Sequence, residues 1–335
     1  MPFNYKTKPY EHQEEALLRS FNRKNYAYFM EMGCGKSKVL IDNITWLYEE
    51  QKIDTAIIIA PKGVYMNWKN AEIPIHLPDN IEKNVYIWKA SANKTEKKVL
   101  EEGVKTRDKL RILLVNVESF ATAKVIKYLE AFTHRSNFML AVDESTTIKN
   151  IKAKRTKSVL KLGDSAKYKR ILTGSPITQS PMDLYAQCAF LDKDLLGFDS
   201  YWSFQGRYAV VRQTRMGNHS FQQVVGFKNL EELTDKLHRF AYRVTKKEAL
   251  DLPDKIYTTR EVVLTSDQIK HYNSMKDVAV AFLEGGDMVT APEVMTRLLR
   301  LQQLLCGYLV TDDGETVEIA NHRIDAMLDT IAEMD

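Results

Sequence analysis

Short apolar runs alternate with helical patterns through the first half of the chain, and that rhythm restricts the fold more than any other feature. NYAYFM leads into KVLIDNITWLYEE, TAIIIAP into VYMNWKNAEI, NVYIWKA into a Lys/Glu-rich stretch, and RILLVNV into ATAKVIKYLEAF. FMLAVDE and KRILTGS complete the series. The pattern predicts a doubly wound α/β domain around a parallel sheet. Such sheets bind ligands outside the C-terminal ends of their strands, where this chain places its Gly, Asp and Ser residues.

With 335 residues and 44% hydrophobic composition, the chain can bury one large core and still carry a subdomain. After about Pro181 the sequence turns aromatic-rich and mixed-polar, as in FDSYWSFQGRYAVV and VVGFKNLEELTDKLHRFAYRVTKKEAL, with turns expected at Gly217 and Gly226. Residues 266–308 read as mostly helical with a break at Gly285 and Gly286. NHRIDAMLDTIAEMD then carries a helical apolar stripe at Ile324, Met327, Leu328 and Ile331. The division expected is an α/β lobe over 1–190, a mainly helical, aromatic-rich insertion over 191–255, and a helical return segment over 256–335.

No apolar run approaches the roughly 20 residues of a membrane-spanning helix. MPFNYKTKPYEHQEE has no signal-like apolar core, and the 3 cysteines lack metal-ligand spacing. A reducing cytoplasm is the expected setting, with no membrane partner. The formal net charge of +4 identifies no partner by itself, but KNIKAKRTKSVLKLGDSAKYKR, Lys149 to Arg170, has Asp164 as its only acid. Such a stretch is either a phosphate-facing strip or a solvated helix face. Phe198, Tyr201, Trp202, Phe204 and Tyr208 read chiefly as a small core, with stacking on bases as the other reading.

Between the first strand and its helix lies a glycine-flanked loop, MEMGCGKSK. At a helix N-terminus, Gly33 and Gly35 let backbone N–H groups approach phosphate oxygens, Lys36 reaches β- and γ-phosphates, and Ser37 can ligate Mg²⁺. The strict pattern lacks its first glycine, which is Met30 here. A dinucleotide loop fits less well, because the third glycine of GxGxxG is missing and a lysine sits inside the loop. Hydrolysis of a bound triphosphate also needs an acid at the end of another buried strand. NFMLAVDEST supplies Asp143 for the metal and Glu144 to orient or deprotonate the attacking water.

These residues are similar to those of the superfamily-two helicases and translocases, above all the Swi/Snf-like DNA translocases and their phage relatives. The resemblance covers nearly the whole chain. KPYEHQEEAL resembles the Q motif, which implies that Gln13 reads the adenine edge. MEMGCGKS resembles motif I, usually DEMGLGKT in that group, where the first glycine is already abandoned. It implies an ATP-binding loop of Met32, Gly33, Cys34, Gly35, Lys36 and Ser37. IIIAPKGVYMNWKNAE resembles motif Ia, from Ala60 to Trp68, and LLVNVESF the next strand-end motif. Both lie along the DNA backbone in the family, implying contacts from Pro61, Lys62, Asn116 and Ser119. DEST stands for the commoner DEAH, and TTIKN is similar to RLKN, which adds Lys149 to the DNA side.

LTGSPITQSPMDLYAQCAFL is similar to motif III, LTGTPIQN, with Ser175, Thr178 and Gln179 substituted. The resemblance implies that Thr173, Gly174 and Ser175 couple the γ-phosphate site to DNA movement. RFAYRVTKKEALDLPDKIY resembles the return of the family's insertion before an LP signature, here Leu252 and Pro253. RLLRLQQLLCGYL resembles the family's RLRQ helix, and the segment from His322 to Met334 resembles the helix that opens a second motor lobe.

Taken together, the resemblance implies a RecA-like lobe with ATP and Mg²⁺ as ligands and duplex DNA as partner, in which Lys36, Asp143 and Glu144 are catalytic. It also implies a second RecA-like lobe beyond these residues, whose arginines stabilise the transferring phosphoryl group. The chain is expected to be the first motor lobe of a longer protein, poorly active alone. Two alternatives stay open: a superfamily-two motor on RNA, and a nucleotide-dependent nucleic-acid clamp without turnover. Lysine-rich, compact sequence points to a phage or low-GC bacterial source, hence to bacterial cytoplasm.

Overall fold

The computed structural model describes residues 3–216, 219–251, 256–284, 291–311 and 313–333. The chain falls into two units, Met1–Pro253 and Asp254–Asp335. In the first, strands β1 (Asn25–Met30), β2 (Thr55–Ala60), β3 (Lys83–Ile87), β4 (Leu110–Asn116), β5 (Phe138–Asp143) and β6 (Tyr168–Leu172) follow the predicted runs. A hairpin of β7 (Ala209–Met216) and β8 (His219–Phe227) comes next, then β9 (Ala241–Val244). All but the hairpin form one seven-stranded parallel sheet in the order β3-β4-β2-β5-β6-β1-β9.

Strand residues alternate between two cores. Ala27, Phe29, Ile57, Ile59, Leu113, Val115, Leu140, Val142 and Ile171 enter one. Tyr28, Met30, Ile58, Ala60, Ile112, Leu114, Met139, Ala141 and Leu172 enter the other. This is the period-two geometry of a pleated strand with both faces covered, and it explains why the runs read as continuously apolar. Helices α1 (Glu11–Ser20) and α2 (Lys36–Glu49) cover one face through Ala16, Leu17, Val39, Leu40, Ile44 and Leu47. Helices α3 (Lys94–Lys105), α4 (Ala123–Thr133), α5 (Lys154–Gly163) and α6 (Leu184–Leu191) cover the other, through Leu100, Leu129, Phe132, Val159, Leu184 and Cys188 among others. The fold is the doubly wound α/β sheet that the alternation predicts, and the RecA-like lobe that the resemblance implies.

One polar side chain anchors the β6 edge of this core. Arg170 is fully buried, and all its donors are used: Nε on Asn43 Oδ1 at 3.0 Å, Nη1 on the carbonyls of Lys24 and Lys169, and Nη2 on those of Ser20 and Arg23. The basic stretch from Lys149 to Arg170 is thus not one strip. Lys154, Lys157 and Lys161 are exposed on α5, whereas Arg170 is interior structure.

Residues 191–255 contain helices α7 (Tyr201–Tyr208) and α8 (Leu230–His238), but between them stands the antiparallel β7–β8 hairpin. Gly226, expected at a turn, instead lies within β8 opposite Val210, where the register shifts. Phe204 and Tyr208 are fully buried and pack with Phe198, whose ring lies 5.6 and 5.5 Å from theirs. The small aromatic core is present, and Trp202 is left outside it, 61% exposed. Finally β9 pairs in parallel with β1, Met30 opposite Val244, so the end of the insertion completes the main sheet.

In the second unit, helices span Ser266–Glu284 and Ala291–Leu305, Tyr308–Val310 pairs antiparallel with Thr316–Glu318, and a last helix covers Arg323–Ala332. Its apolar stripe is as predicted, and Ile324, Met327, Leu328 and Ile331 are each more than half exposed. Gly217, Leu252, Pro253, Gly285, Gly286 and Met334 lie outside the described residues. No described helix is long and apolar enough to cross a membrane.

Candidate functional site

Strand order brings three strand ends together. Because β6 pairs with both β5 and β1, the loop after β6 lies between the loop after β1 and the acidic pair that closes β5. The loop expected to hold phosphate, Glu31 to Gly35, joins β1 to α2. Gly33 and Gly35 both take positive φ, +85° and +80°, a region that costs other residues steric strain. Gly35 has a second reason to be glycine: a Cβ there would lie 2.2 Å from Gln13 Nε2.

That close approach locks the loop to α1. Gln13 Nε2 donates to the Cys34 carbonyl at 3.2 Å, and His12 Nε2 lies 2.9 Å from the same oxygen. Gln13 Oε1 meanwhile accepts from the Tyr10 N–H at 3.0 Å. Gln13, expected to read adenine, therefore shapes the phosphate loop as well. The Cys34 thiol is buried, and burial, reinforced by the Glu31 carboxylate, pushes its pKa up, so the thiol is a packing group. Lys36 and Ser37 open α2, partly exposed, and among the described residues Lys36 has no ion pair and the Ser37 hydroxyl no protein partner. Met32 is 68% exposed beside them.

The acidic pair is held differently. Asp143 is buried, with Oδ2 accepting from the indole N–H of Trp68 at 2.9 Å and Oδ1 from the Glu144 N–H at 3.0 Å. Burial raises its pKa to about 6; the Trp68 hydrogen bond opposes that rise and the Glu144 charge adds to it. Its folded value lies above the ordinary 3.8. The contribution of this group to stability is therefore full below the unfolded value and is lost as pH rises through about 6. A carboxylate that the fold holds at pH 7 against its own stability is well suited to a divalent cation. Replacing Trp68 with Phe removes a hydrogen bond to a charged group, worth about 1.5–3 kcal/mol. The Asp143 midpoint, followed by carboxyl-carbon NMR without divalent cations, should rise by about one unit or more. An unchanged midpoint would show that the indole does not stabilise the carboxylate.

Glu144 adopts φ +47°, unusual for a side chain of its size, and such backbones store about 1–3 kcal/mol. Thr173 Oγ1 donates to Glu144 Oε2 at 3.1 Å and accepts from the Ser175 N–H at 3.3 Å. A Cβ on Gly174 would stand 3.1 Å from the Met32 nitrogen, so the loop after β6 also rests on the phosphate loop. Beyond it, Asp183 Oδ2 accepts from the Thr178 N–H and hydroxyl and the Gln179 N–H, and pairs with Lys149 at 3.4 Å. Burial alone would raise the Asp183 pKa; these donors overcome it and hold the carboxyl below its ordinary range. Buried Gln187 closes the network, accepting from the Ser145 hydroxyl at 2.6 Å and donating to the carbonyls of Pro176 and Asp183.

The residues expected on the DNA side sit at the ends of the adjacent strands β4, β2 and β5. Lys62 is exposed after β2, with Pro61 half-buried beside it. Asn116 and Ser119 are half-buried after β4, and Asn116 Oδ1 is already taken by the Glu118 N–H at 2.9 Å. Lys149 is half-buried and shares its charge with Asp183.

Sequence reasoning missed Trp68 as a support for Asp143, Gln187 as a tie, and Lys246. The Lys246 N–H donates to Glu31 Oε2 at 2.8 Å, and Glu31 N–H donates to the Val244 carbonyl at 2.9 Å. Lys246 Cε consequently stands 3.2 Å from the place a Gly33 Cβ would occupy. The only sequence signal was KK in RVTKKEAL, with nothing to tie it to a loop so distant in the chain.

The chain has relatives among known proteins. The model of the SNF2-related domain matches residues 17–308. Human helicase-like transcription factor is 25% identical over 273 residues, 78% of this chain and 25% of that protein. The Drosophila melanogaster SWI/SNF-related matrix-associated actin-dependent regulator of chromatin subfamily A-like protein 1 is 30% identical over 206 residues, 57% of this chain and 26% of that one. The chain thus spans about a quarter of the length of these curated relatives. The Sulfolobus solfataricus SWI2/SNF2 ATPase core in complex with dsDNA shares the fold, with TM-score 0.57 and 24% identity, covering 100% of this chain and 66% of that one. With the family model spanning most of its length, the chain belongs to the SNF2-related domain family as a superfamily-two, Swi/Snf-like motor lobe.

Proposed function

We propose that this lobe binds ATP and Mg²⁺ and grips the backbone of duplex DNA, and that hydrolysis, completed by a second RecA-like lobe of a longer protein, drives movement along the duplex. The observation that carries the reading is the Thr173–Glu144 hydrogen bond, with Gly174 seated on the phosphate loop. A single short loop touches both the acid that would activate water and the loop that would hold phosphate. Gly33, Cys34, Gly35 and Lys36 bind the triphosphate, and Gln13 holds that loop in shape while facing the base. Ser37 and Asp143 would hold Mg²⁺, which neutralises charge on the phosphoryl oxygens when bound. Glu144 takes a proton from the attacking water, oriented by Thr173. Pro61, Lys62, Asn116, Ser119 and Lys149 line the strand ends that face the DNA backbone, and Thr173, Gly174 and Ser175 pass nucleotide state to that side.

Steady-state hydrolysis by the two-lobe protein, with duplex DNA, duplex RNA or neither, tests the reading against Lys36→Ala as the blank. Stimulation by DNA alone, lost in the variant, is expected. Stimulation by RNA alone would replace DNA as the track, and nucleotide binding without turnover would make the protein a clamp. Lys246 adds a second cation to the phosphate loop. Lys246→Ala is expected to weaken ATP binding about five-fold or more, the effect of roughly 1 kcal/mol, while sparing adenosine. Equal ATP affinity in the variant, by calorimetry, would remove Lys246 from the site.

A further inference from the structure

The protein has 4 tryptophans. Trp46, Trp68 and Trp88 are at most 6% exposed, whereas Trp202 is 61% exposed. Nothing in the aromatic core needs it, since Phe204 and Tyr208 on the same helix fill that core. Lys152 Nζ stands 5.5 Å from the centre of its ring. Beside the indole opens a groove of about 660 Å³, lined by Lys149, Asn150, Gln179, Gln205 and, from the hairpin, Gln222. Exposed Arg212 lies on the hairpin's other strand.

These groups match one ligand chemistry. Lysines complement phosphate, carboxamides can both donate to and accept from a base edge, and an open indole offers a plane for stacking. A protein partner recognised by an exposed Trp would call for a contiguous apolar patch, whereas six of the groove's lining residues are amides or lysines, beside Ile151, Met182, Tyr201 and Asp183. Inside an intact duplex every base face is already stacked, so away from the duplex ends the indole is usable only by an unpaired base. We propose that this groove takes an unpaired nucleotide of DNA, its base on Trp202 and its phosphate on Lys152. The inference rests on DNA as the track and adds a preference to it: a duplex carrying single-stranded arms is held more tightly than a blunt one. Gln179 belongs to the loop that begins at Thr173, and Asp183 binds both Thr178 and Gln179, so an occupant touches the segment that reaches Glu144.

Trp202 also supplies the probe, as the exposed member among three buried tryptophans. Titration of the whole chain with a forked DNA should quench its emission, and a blunt duplex of equal length should quench it much less. By anisotropy of labelled DNA, the fork should bind about 5- to 100-fold more tightly than the blunt duplex, the range expected for one stacked base. Trp202→Ala should erase that preference and leave blunt-duplex affinity in place, while Trp202→Phe should keep part of it. Blunt duplex bound as tightly as the fork, or a fork preference that survives Trp202→Ala, overturns the proposal and leaves DNA as the track. Failure of the wild-type chain to bind either DNA overturns both.

Discussion

Glu144→Gln is expected to lower DNA-stimulated ATP hydrolysis by about 10²- to 10⁴-fold, the usual contribution of a general base, and to leave ATP affinity within about two-fold. Glutamine keeps the size of the side chain and can still accept the hydrogen bond from Thr173 through its Oε1, so the left-handed backbone at φ +47° and the loop after β6 should be undisturbed. It cannot take a proton from water at neutral pH. The separation of effects is what identifies the role. In the proposed reading Asp143, buried and held by Trp68, keeps charge beside a cation, and Glu144, half-buried and among the described residues held by Thr173 alone, exchanges a proton. A hydrolysis rate within ten-fold of wild type would assign the proton to another group.

Arg170→Met should destabilise the first unit by about 3–5 kcal/mol, because several buried acceptors lose a charged donor at once, each at about 1–3 kcal/mol with partial compensation. Methionine fills much of the volume but donates nothing. The carbonyls of Ser20, Arg23 and Lys24 and the Asn43 amide would each lose a donor in the interior, at the junction of α1, β1 and β6. Asn43→Ala in the same background should cost less than it does alone, because its partner is already gone. Urea unfolding reads both effects through the midpoint. A loss below about 1 kcal/mol would mean that water enters to replace the guanidinium. Arg170 closes the basic stretch that reads either as a phosphate-facing strip or as a solvated helix face, and the structure puts it in the core instead.

The sheet was legible because burial on both faces leaves an unmistakable trace, as in TAIIIA and FMLAVD. The hairpin was not, for the opposite reason. Arg212, Gln213, Gln222, Gln223, Val224 and Val225 are all exposed, neighbours in sequence included, so neither face imposes an alternation. AYRV has only four residues, and its place beside β1 depends on pairing with a strand far earlier in the chain. Lys36, Asp143 and Glu144 could be proposed from the sequence because loop chemistry fixes their local spacing, and the structure sets them at the ends of neighbouring strands. Trp68, Gln187 and Lys246 were invisible because each acts across a tertiary contact that no spacing encodes, although Trp68 lay inside a quoted motif.

The placement of β9 has a consequence for how this lobe can diversify. The chain leaves the sheet at Leu172 on one side of β1 and re-enters at Ala241 on the other. Those two anchor strands stand about 10 Å apart, two strand spacings, and they straddle the strand that carries the phosphate loop. Past the site loop and α6, which belong to the lobe itself, the segment between them is a graft on fixed stumps. Lengthening the hairpin only enlarges a loop whose ends are already pinned, at about 0.6 kcal/mol for each doubling. The appendage can therefore change, long or short, aromatic or basic, while the pocket beneath keeps its strands and loops.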